Sequence, residues 1–277
     1  MRFVRPLLTG LLLWGACGAV AHAAPACGGD FGTWLSAFEK DAEAAGISGR
    51  TVAEALSGVT PDPSIIALDH HQGYFKQSFE TYRAKRVPPG KVEIGIAKLK
   101  ANANLFDRIE QRFGVPGPIV VAIWGLETGF GAGTGVTPTI RALATLAHDC
   151  RRSEFFSNEL MAALKIVDRG DLSPAAMKGG WAGELGQTQF LPSSYVKYAV
   201  DFDGNGRSDL IHSYPDALAS TANYLKGYGW HAGQPWGEGS ANFTVLHQWN
   251  KADVYCRTIV WFAEQMDNGS MAASPRR

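Results

Sequence analysis

The sequence has no excess of charge, because 26 Lys and Arg balance 26 Asp and Glu. A nucleic-acid-binding domain is expected to carry a basic patch or stripe, so a polyanionic partner is not indicated. A membrane-spanning run is lacking too: the apolar stretch from Leu7 to Val20 is too short for a comfortable span. Cysteine is scarce, and the four present stand at no metal-ligand spacing, which argues against a zinc or iron–sulfur centre. Convincing alternating strands, internal repeats and low-complexity segments are missing as well, so neither an all-β fold nor a repeat array is expected. What remains is a chain of 277 residues, 45% hydrophobic, able to bury a substantial core.

Residues 1–23 read as an export signal. Arg2 and Arg5 precede the apolar run, and Ala21-His22-Ala23 closes it with small residues before Ala24-Pro25. Cys17 invites a lipoprotein reading, but Trp14 stands where a lipobox normally carries Leu. An exported protein meets an oxidising compartment, where one disulfide among Cys27, Cys150 and Cys256 is expected with one thiol left over. The sequence does not say which two pair. A Cys27–Cys150 bond, which is preferred, would tie the mature N-terminus to the body.

The stretch that organises the rest is Ile119-Val-Val-Ala-Ile-Trp-Gly-Leu-Glu127, followed by a glycine-rich run through Gly135. It is apolar on every side until one carboxylate appears, and a segment of that kind belongs in a core. Periodicity alone leaves helix and buried strand open here. Burial disfavours the carboxylate form, which suits a general acid working near neutrality, although a capping acid would also fit.

Helical spacing recurs along the chain. It predicts helices over Phe31 to Ala45, from an N-cap at Ser48 through Leu56, and over an aromatic stripe of Tyr74, Phe75, Phe79 and Tyr82. One long helix is expected over Lys91 to Phe113, ending at Gly114. Further helices are expected over Thr139 to Ala147, Arg151 to Val167, Pro174 to Met177, Tyr214 to Tyr228, and Ser240 to Met266 with a break. The fold class is mostly α, with one compact, lobed domain over 24–267 and a frayed tail over 268–277.

Asp201-Phe-Asp203-Gly-Asn205-Gly206-Arg207-Ser-Asp209 follows the opening of a calcium-binding loop, with oxygen ligands alternating and Gly206 at the tight turn. Asp201, Asp203, Asn205 and the Arg207 carbonyl are the candidate ligands. The usual twelfth-position Glu is replaced by His212, so Asp216 is the nearest candidate for the missing carboxylate. A structural Ca2+ or Na+ is expected, against the alternative of an ion-free turn.

Four motifs in order then resemble one family: Trp-Gly-Leu-Glu-Thr-x-Phe-Gly around Glu127, Ala182-Gly-Glu-Leu-Gly-Gln-Thr-Gln-Phe-Leu-Pro-Ser-Ser194, the aspartate loop, and Trp249-Asn250-Lys251. Together, from about Tyr74 to Phe262, they are similar to the lytic murein transglycosylase B family, glycoside hydrolase family 103. The resemblance implies a mostly helical, lysozyme-like catalytic domain with an EF-hand-like loop, and a helix ending at Glu127. It implies cleavage of the β-1,4 bond between N-acetylmuramic acid and N-acetylglucosamine, leaving a 1,6-anhydro end. One Glu acts first as acid and then as base, with no catalytic cofactor. Glu127 falls on that residue. Tyr82, Gln189, Tyr224, Asn250 and Tyr255 fall on saccharide-cleft positions, and Trp249 is a further candidate for sugar contact. Arg151 and Arg152 fall on a pair associated with peptide or muramyl carboxylates. The partner is the peptidoglycan glycan strand, met by a monomer in the periplasm or at the cell wall.

Three positions depart from the family pattern. Gly180 replaces a more usual Ser, Glu184 adds a carboxylate in Ala-Gly-Glu-Leu-Gly, and Trp249 stands where Tyr is common. A second carboxylate opens a hydrolase alternative, retaining at about 5 Å from Glu127 and inverting at roughly 6.5–9.5 Å. A structural or substrate-binding role for Glu184 is preferred. A non-catalytic glycan binder is the alternative from a different class.

Overall fold

The computed structural model describes residues 26–71 and 77–272. The export signal, Tyr74 and Phe75 of the aromatic stripe, and the last five residues lie outside the described residues. Thirteen helices are present among those described: α1 (Phe31–Ala44), α2 (Gly49–Leu56), α3 (Pro63–His70), α4 (Phe79–Arg86), α5 (Lys91–Ala101), α6 (Ala103–Phe113), α7 (Gly117–Thr128), α8 (Thr139–His148), α9 (Ser153–Asp168), α10 (Pro192–Tyr198), α11 (Tyr214–Gly227), α12 (Ala241–Trp249) and α13 (Asp253–Ala272). The only sheet among them is a pair of two-residue strands, β1 (Thr137–Pro138) and β2 (Lys178–Gly179), joined antiparallel. None of the described helices is long and apolar enough to cross a membrane.

The apolar run is a helix, α7, and it forms the axis of the molecule. Ile119 through Ile123 are completely buried, with Trp124 and Leu126 nearly so. Helices α5, α6, α11 and α13 pack around it. Each large aliphatic side chain buried there contributes on the order of 1.5–3 kcal/mol. The helix ends where Gly129, Phe130 and Gly131 take left-handed conformations in succession, a backbone that glycine accepts freely and Phe only under constraint. Phe130 is constrained: its ring meets Trp124 and Phe262 edge-on. A β-carbon on Gly125 would press within 3.0 Å of both Phe rings.

The predicted helix over Lys91 to Phe113 is in fact two helices. Asn102 leaves helical geometry, and its side-chain amide donates to the Lys98 carbonyl at 3.0 Å. A short amide competing for backbone partners interrupts a helix even where apolar spacing continues through it. Pro174 to Met177 forms turns rather than a helix. The predicted frayed tail starts too early, because α13 continues to Ala272. Helices α3 and α10 are additions, each entered through a proline in its first turn.

Cys27 and Cys150 form the disulfide, which closes a loop of 123 residues, while Cys256 is buried as a free thiol. The backbone beside the bond is paired as well, with Gly28 N–H donating to the His148 carbonyl at 2.9 Å.

Candidate active site

The C-terminal turn of α7 delivers Glu127 to the floor of a cleft of about 440 Å³. One wall comes from the segment between β2 and α10, which carries Gly180, Trp181, Glu184, Gln189, Leu191 and Ser194. The other comes from Tyr224 on α11 and the end of α12 at Gln248, Trp249 and Asn250. Both walls are anchored to α7. Thr128 donates to the Gln187 carbonyl at 2.6 Å, and the Trp124 indole donates to the Gln187 side chain at 3.1 Å. At the far end of the first wall, buried Glu159 accepts from the Ser193 amide at 2.8 Å and its hydroxyl at 2.7 Å, fixing the entrance to α10.

Two neutral donors converge on one oxygen of Glu127. The Trp249 indole N–H donates to Oε1 at 2.9 Å, and the Tyr255 hydroxyl donates to the same atom at 2.5 Å. Desolvation by the surrounding protein raises the Glu127 pKa, and these two hydrogen bonds and the charge of Arg86 only partly oppose it. The negative charge of Glu184 adds to the rise. An oxygen that already accepts two hydrogens has little room for a proton of its own, so a proton on Glu127 belongs on Oε2. Tyr255 is held neutral beneath, its pKa pushed far up by burial and by the neighbouring carboxylate.

The sequence-predicted residues fall into three groups. Glu127, Gln189, Tyr224, Trp249 and Asn250 line the cleft itself. Tyr255, 4% exposed, lies beneath Glu127 rather than at the cleft surface, and Tyr82 sits behind it with ring centroids 6.5 Å apart. Arg151 and Arg152 stand apart from the cleft lining. Both clamp the carboxylate of Asp69 from α3, which is 1% exposed. The departure at Trp249 loses a tyrosine hydroxyl, yet its indole supplies the donor to Glu127. Tyr224 spends its hydroxyl on the Gln248 carbonyl at 2.6 Å and packs edge-on against Trp249.

Sequence reasoning missed Arg86, whose guanidinium donates to the Leu126 carbonyl at 2.8 Å, one residue before Glu127. It also missed Gln187, Ser194 and Gln248. Gln187 and Ser194 were visible inside the second motif as polar residues in a run rich in glycine, but their direction was not.

The aspartate loop connects α10 to α11 and is absent from the cleft lining. Asp201 accepts backbone N–H bonds from Gly204 at 2.7 Å, Asn205 at 3.1 Å and Gly206 at 2.8 Å. Asp216, fully buried at the start of α11, accepts from the amides of Phe202, Asp203 and Asp209. Oxygens of Asp201, Asp203 and Asp216 lie within 4.8 Å of one another. Burial, with Asp203 nearby, raises the Asp216 pKa against those three amide bonds. Asn205 turns its side-chain oxygen to the Arg207 amide at 3.1 Å. The twelfth-position His212 bonds Asp209 instead of entering the group.

The chain is similar to known proteins in both sequence and fold. Residues 30–241 match the transglycosylase SLT domain family. Over 153 residues the chain is 41% identical to the membrane-bound lytic murein transglycosylase B of Escherichia coli K12, a match covering 55% of this chain and 42% of that protein. The fold superposes on SltB3 of Pseudomonas aeruginosa, solved in complex with NAG-anhNAM-pentapeptide, with a TM-score of 0.82. That pair is 34% identical over 88% of this chain and 81% of the other. A lytic transglycosylase of Escherichia coli solved in complex with calcium gives a TM-score of 0.78 at 28% identity, over 88% and 96% of the two chains. With more than half its length inside the domain, and the helix-borne glutamate at the centre of it, the chain belongs to the transglycosylase SLT domain family.

Proposed function

We propose that the protein is a peptidoglycan lytic transglycosylase, cleaving the β-1,4 bond between N-acetylmuramic acid and N-acetylglucosamine. The observation that carries this reading is the asymmetry of Glu127: one oxygen saturated by neutral donors, the other left for a proton in a cleft that raises proton affinity. Protonated Glu127 gives its proton to the glycosidic oxygen as the C1–O bond breaks. As a carboxylate it then takes the proton of the C6 hydroxyl, whose oxygen bonds to C1 and closes the 1,6-anhydro ring. No water is consumed, and Glu127 returns to its starting protonation state.

Gln189, Tyr224, Trp249 and Asn250 hold the saccharide in this reading, with Tyr255 and Tyr82 positioning the glutamate from behind. The outward edges of Arg151 and Arg152 meet carboxylates of the muramyl peptide, since guanidinium groups favour such partners. Asp201, Asp203, Asn205, the Arg207 carbonyl and Asp216 hold a structural cation. Three clustered carboxylate oxygens without a cationic side chain among their bonded partners support this, and a hard ion would supply the missing charge. The protein works as an exported monomer in the periplasm or at the cell wall.

The test is the mass of the products from purified peptidoglycan. A transglycosylase releases anhydro-muropeptides, one water lighter than hydrolytic products. Hydrolytic masses would instead promote a two-carboxylate mechanism using Glu127 and Glu184, and no soluble product would leave a glycan binder.

A further inference from the structure

Glu184 sits in the cleft with an unusual set of neighbours. Its Oε2 accepts one hydrogen bond, from the Ala182 backbone amide at 3.2 Å, and among the described residues it enters no ion pair. Among the described residues, neither Lys nor Arg lines the cavity. A carboxylate has acceptor sites for about four hydrogens, so most of its capacity is unspent.

The side chain reaches the cleft because residue 180 is glycine. A β-carbon at Gly180 would overlap Glu184 Oε2 and stand 3.2 Å from Gln189 Oε1. Both oxygens therefore converge on the bare face of Gly180. Gln189 is oriented for this: its amide nitrogen donates to the Thr134 carbonyl at 3.0 Å and the Gly186 carbonyl at 2.9 Å, which turns Oε1 the other way. Its backbone is held in the left-handed region, with φ of 55°, a conformation a residue of this type keeps only when its surroundings impose it. Two acceptors thus face one point of a sugar-sized cleft, with no protein donor between them among the described residues.

We propose that Glu184 is a specificity-determining residue, forming with Gln189 an acceptor pair that receives an N–H or O–H donor of the bound saccharide across Gly180. This rests on the saccharide-cleft reading above. Gly180 and Glu184 then act as one device, in which the missing side chain makes room for the carboxylate.

The test is calorimetric titration with a peptide-free GlcNAc–MurNAc tetrasaccharide, in a Glu127→Gln background so that no turnover intervenes. Glu184→Ala should weaken binding about tenfold, the scale of one hydrogen bond to a charged acceptor, with an unchanged melting temperature. Gly180→Ala should do the same, because the added methyl displaces the flexible end of Glu184 and crowds Gln189 Oε1 at 3.2 Å, the two members of the pair. The double variant should bind no worse than either single variant, since both remove one interaction. Glu184→Gln, which keeps shape and one acceptor, should fall between wild type and Glu184→Ala. Unchanged affinity in Glu184→Ala, or losses that add in the double variant, would overturn the proposal. The outcome is separable from the reaction: if wild type releases no anhydro product but these losses appear, the transglycosylase reading fails and the acceptor pair stands.

Discussion

Asp69 and Glu127 make an instructive pair. Each is the penultimate residue of a helix, α3 and α7, where the helix dipole disfavours negative charge. Burial pushes up the proton affinity of both, yet they end on opposite sides of their ordinary values. Asp69 is answered by the Arg151 and Arg152 guanidinium groups, which outweigh its burial and hold its pKa down. Glu127 accepts its hydrogen bonds from an indole and a phenol, which bring no charge, and with the charge of Arg86 they offset its desolvation only in part, so its pKa stays raised. Position on the helix does not separate the two acids; the balance of desolvation against charged hydrogen-bond partners does.

The largest expected effect comes from removing the working acid. Glu127→Gln should lower release of anhydro-muropeptides by at least about 10⁴-fold, the upper end for general acid–base help, because one group performs both proton transfers. Gln can still accept both hydrogen bonds through its carbonyl oxygen, so the fold should survive. It also removes a raised carboxylate. Such a group contributes stability that is present at low pH and lost as pH rises through its folded pKa. The Gln variant should therefore melt no lower than wild type at neutral pH and lose that part of the pH dependence. Residual activity within tenfold of wild type would remove Glu127 from the mechanism.

Asp69→Asn should behave in the opposite way, with turnover of short glycans retained and melting at neutral pH lowered by roughly 5 °C, on the scale of a moderate core defect in a domain of this size. The sign follows from its depressed pKa: the stability is present above the ordinary carboxylate range and disappears as pH falls through the folded value. Wild type and Asp69→Asn should converge in melting temperature in acid. A constant gap down to pH 2 would break the comparison.

Smaller effects should come from the neutral donors. Trp249→Phe and Tyr255→Phe each delete a hydrogen bond that favours the carboxylate, so the Glu127 pKa should rise further and the alkaline limb of the pH–rate profile should move up. Rates near the optimum should fall several-fold to tenfold, with Tyr255→Phe larger because its bond is the shorter. Movement of the limb toward acid would contradict the assignment. The smallest expected effect is on the aspartate loop. A cation bound only to the folded state raises stability by mass action, about 0.4 kcal/mol where its concentration matches Kd, so millimolar calcium should raise the melting temperature slightly and chelator should reverse it. Identical melts in calcium and chelator would dismiss the ion.

Much of this was legible in the sequence, for identifiable reasons. An all-round apolar run ending in one acid announced burial, periodicity left helix and strand open, and the family resemblance pointed to the helix that α7 is; residues of the motifs around it line the cleft. Residues acting through distant partners were not legible. Nothing near Arg151 announces Asp69, 82 residues away, and nothing in Trp249 separates a ring that stacks on sugar from an indole that serves a glutamate. The Asn102 break was hidden because apolar spacing continues across it. The helix starts at Pro63 and Pro192 were not predicted, although a proline in the first turn is a start signal. The coupling of Gly180 to Glu184 needed coordinates, since two departures from a motif look independent until their atoms compete for one space.

The buried Cys256 thiol has a consequence for the Cys27–Cys150 bond. Thiol–disulfide exchange proceeds through the thiolate, and burial inside α13 pushes the Cys256 pKa up to about 12. Its sulfur is also occupied with the Asn250 carbonyl at 3.2 Å. While α13 is packed, the third sulfur is neither ionised nor free to attack, so the folded protein cannot reshuffle its own cross-link. Isomerisation is confined to chains whose last helix has not docked, and its docking turns a reversible choice of partners into a permanent one.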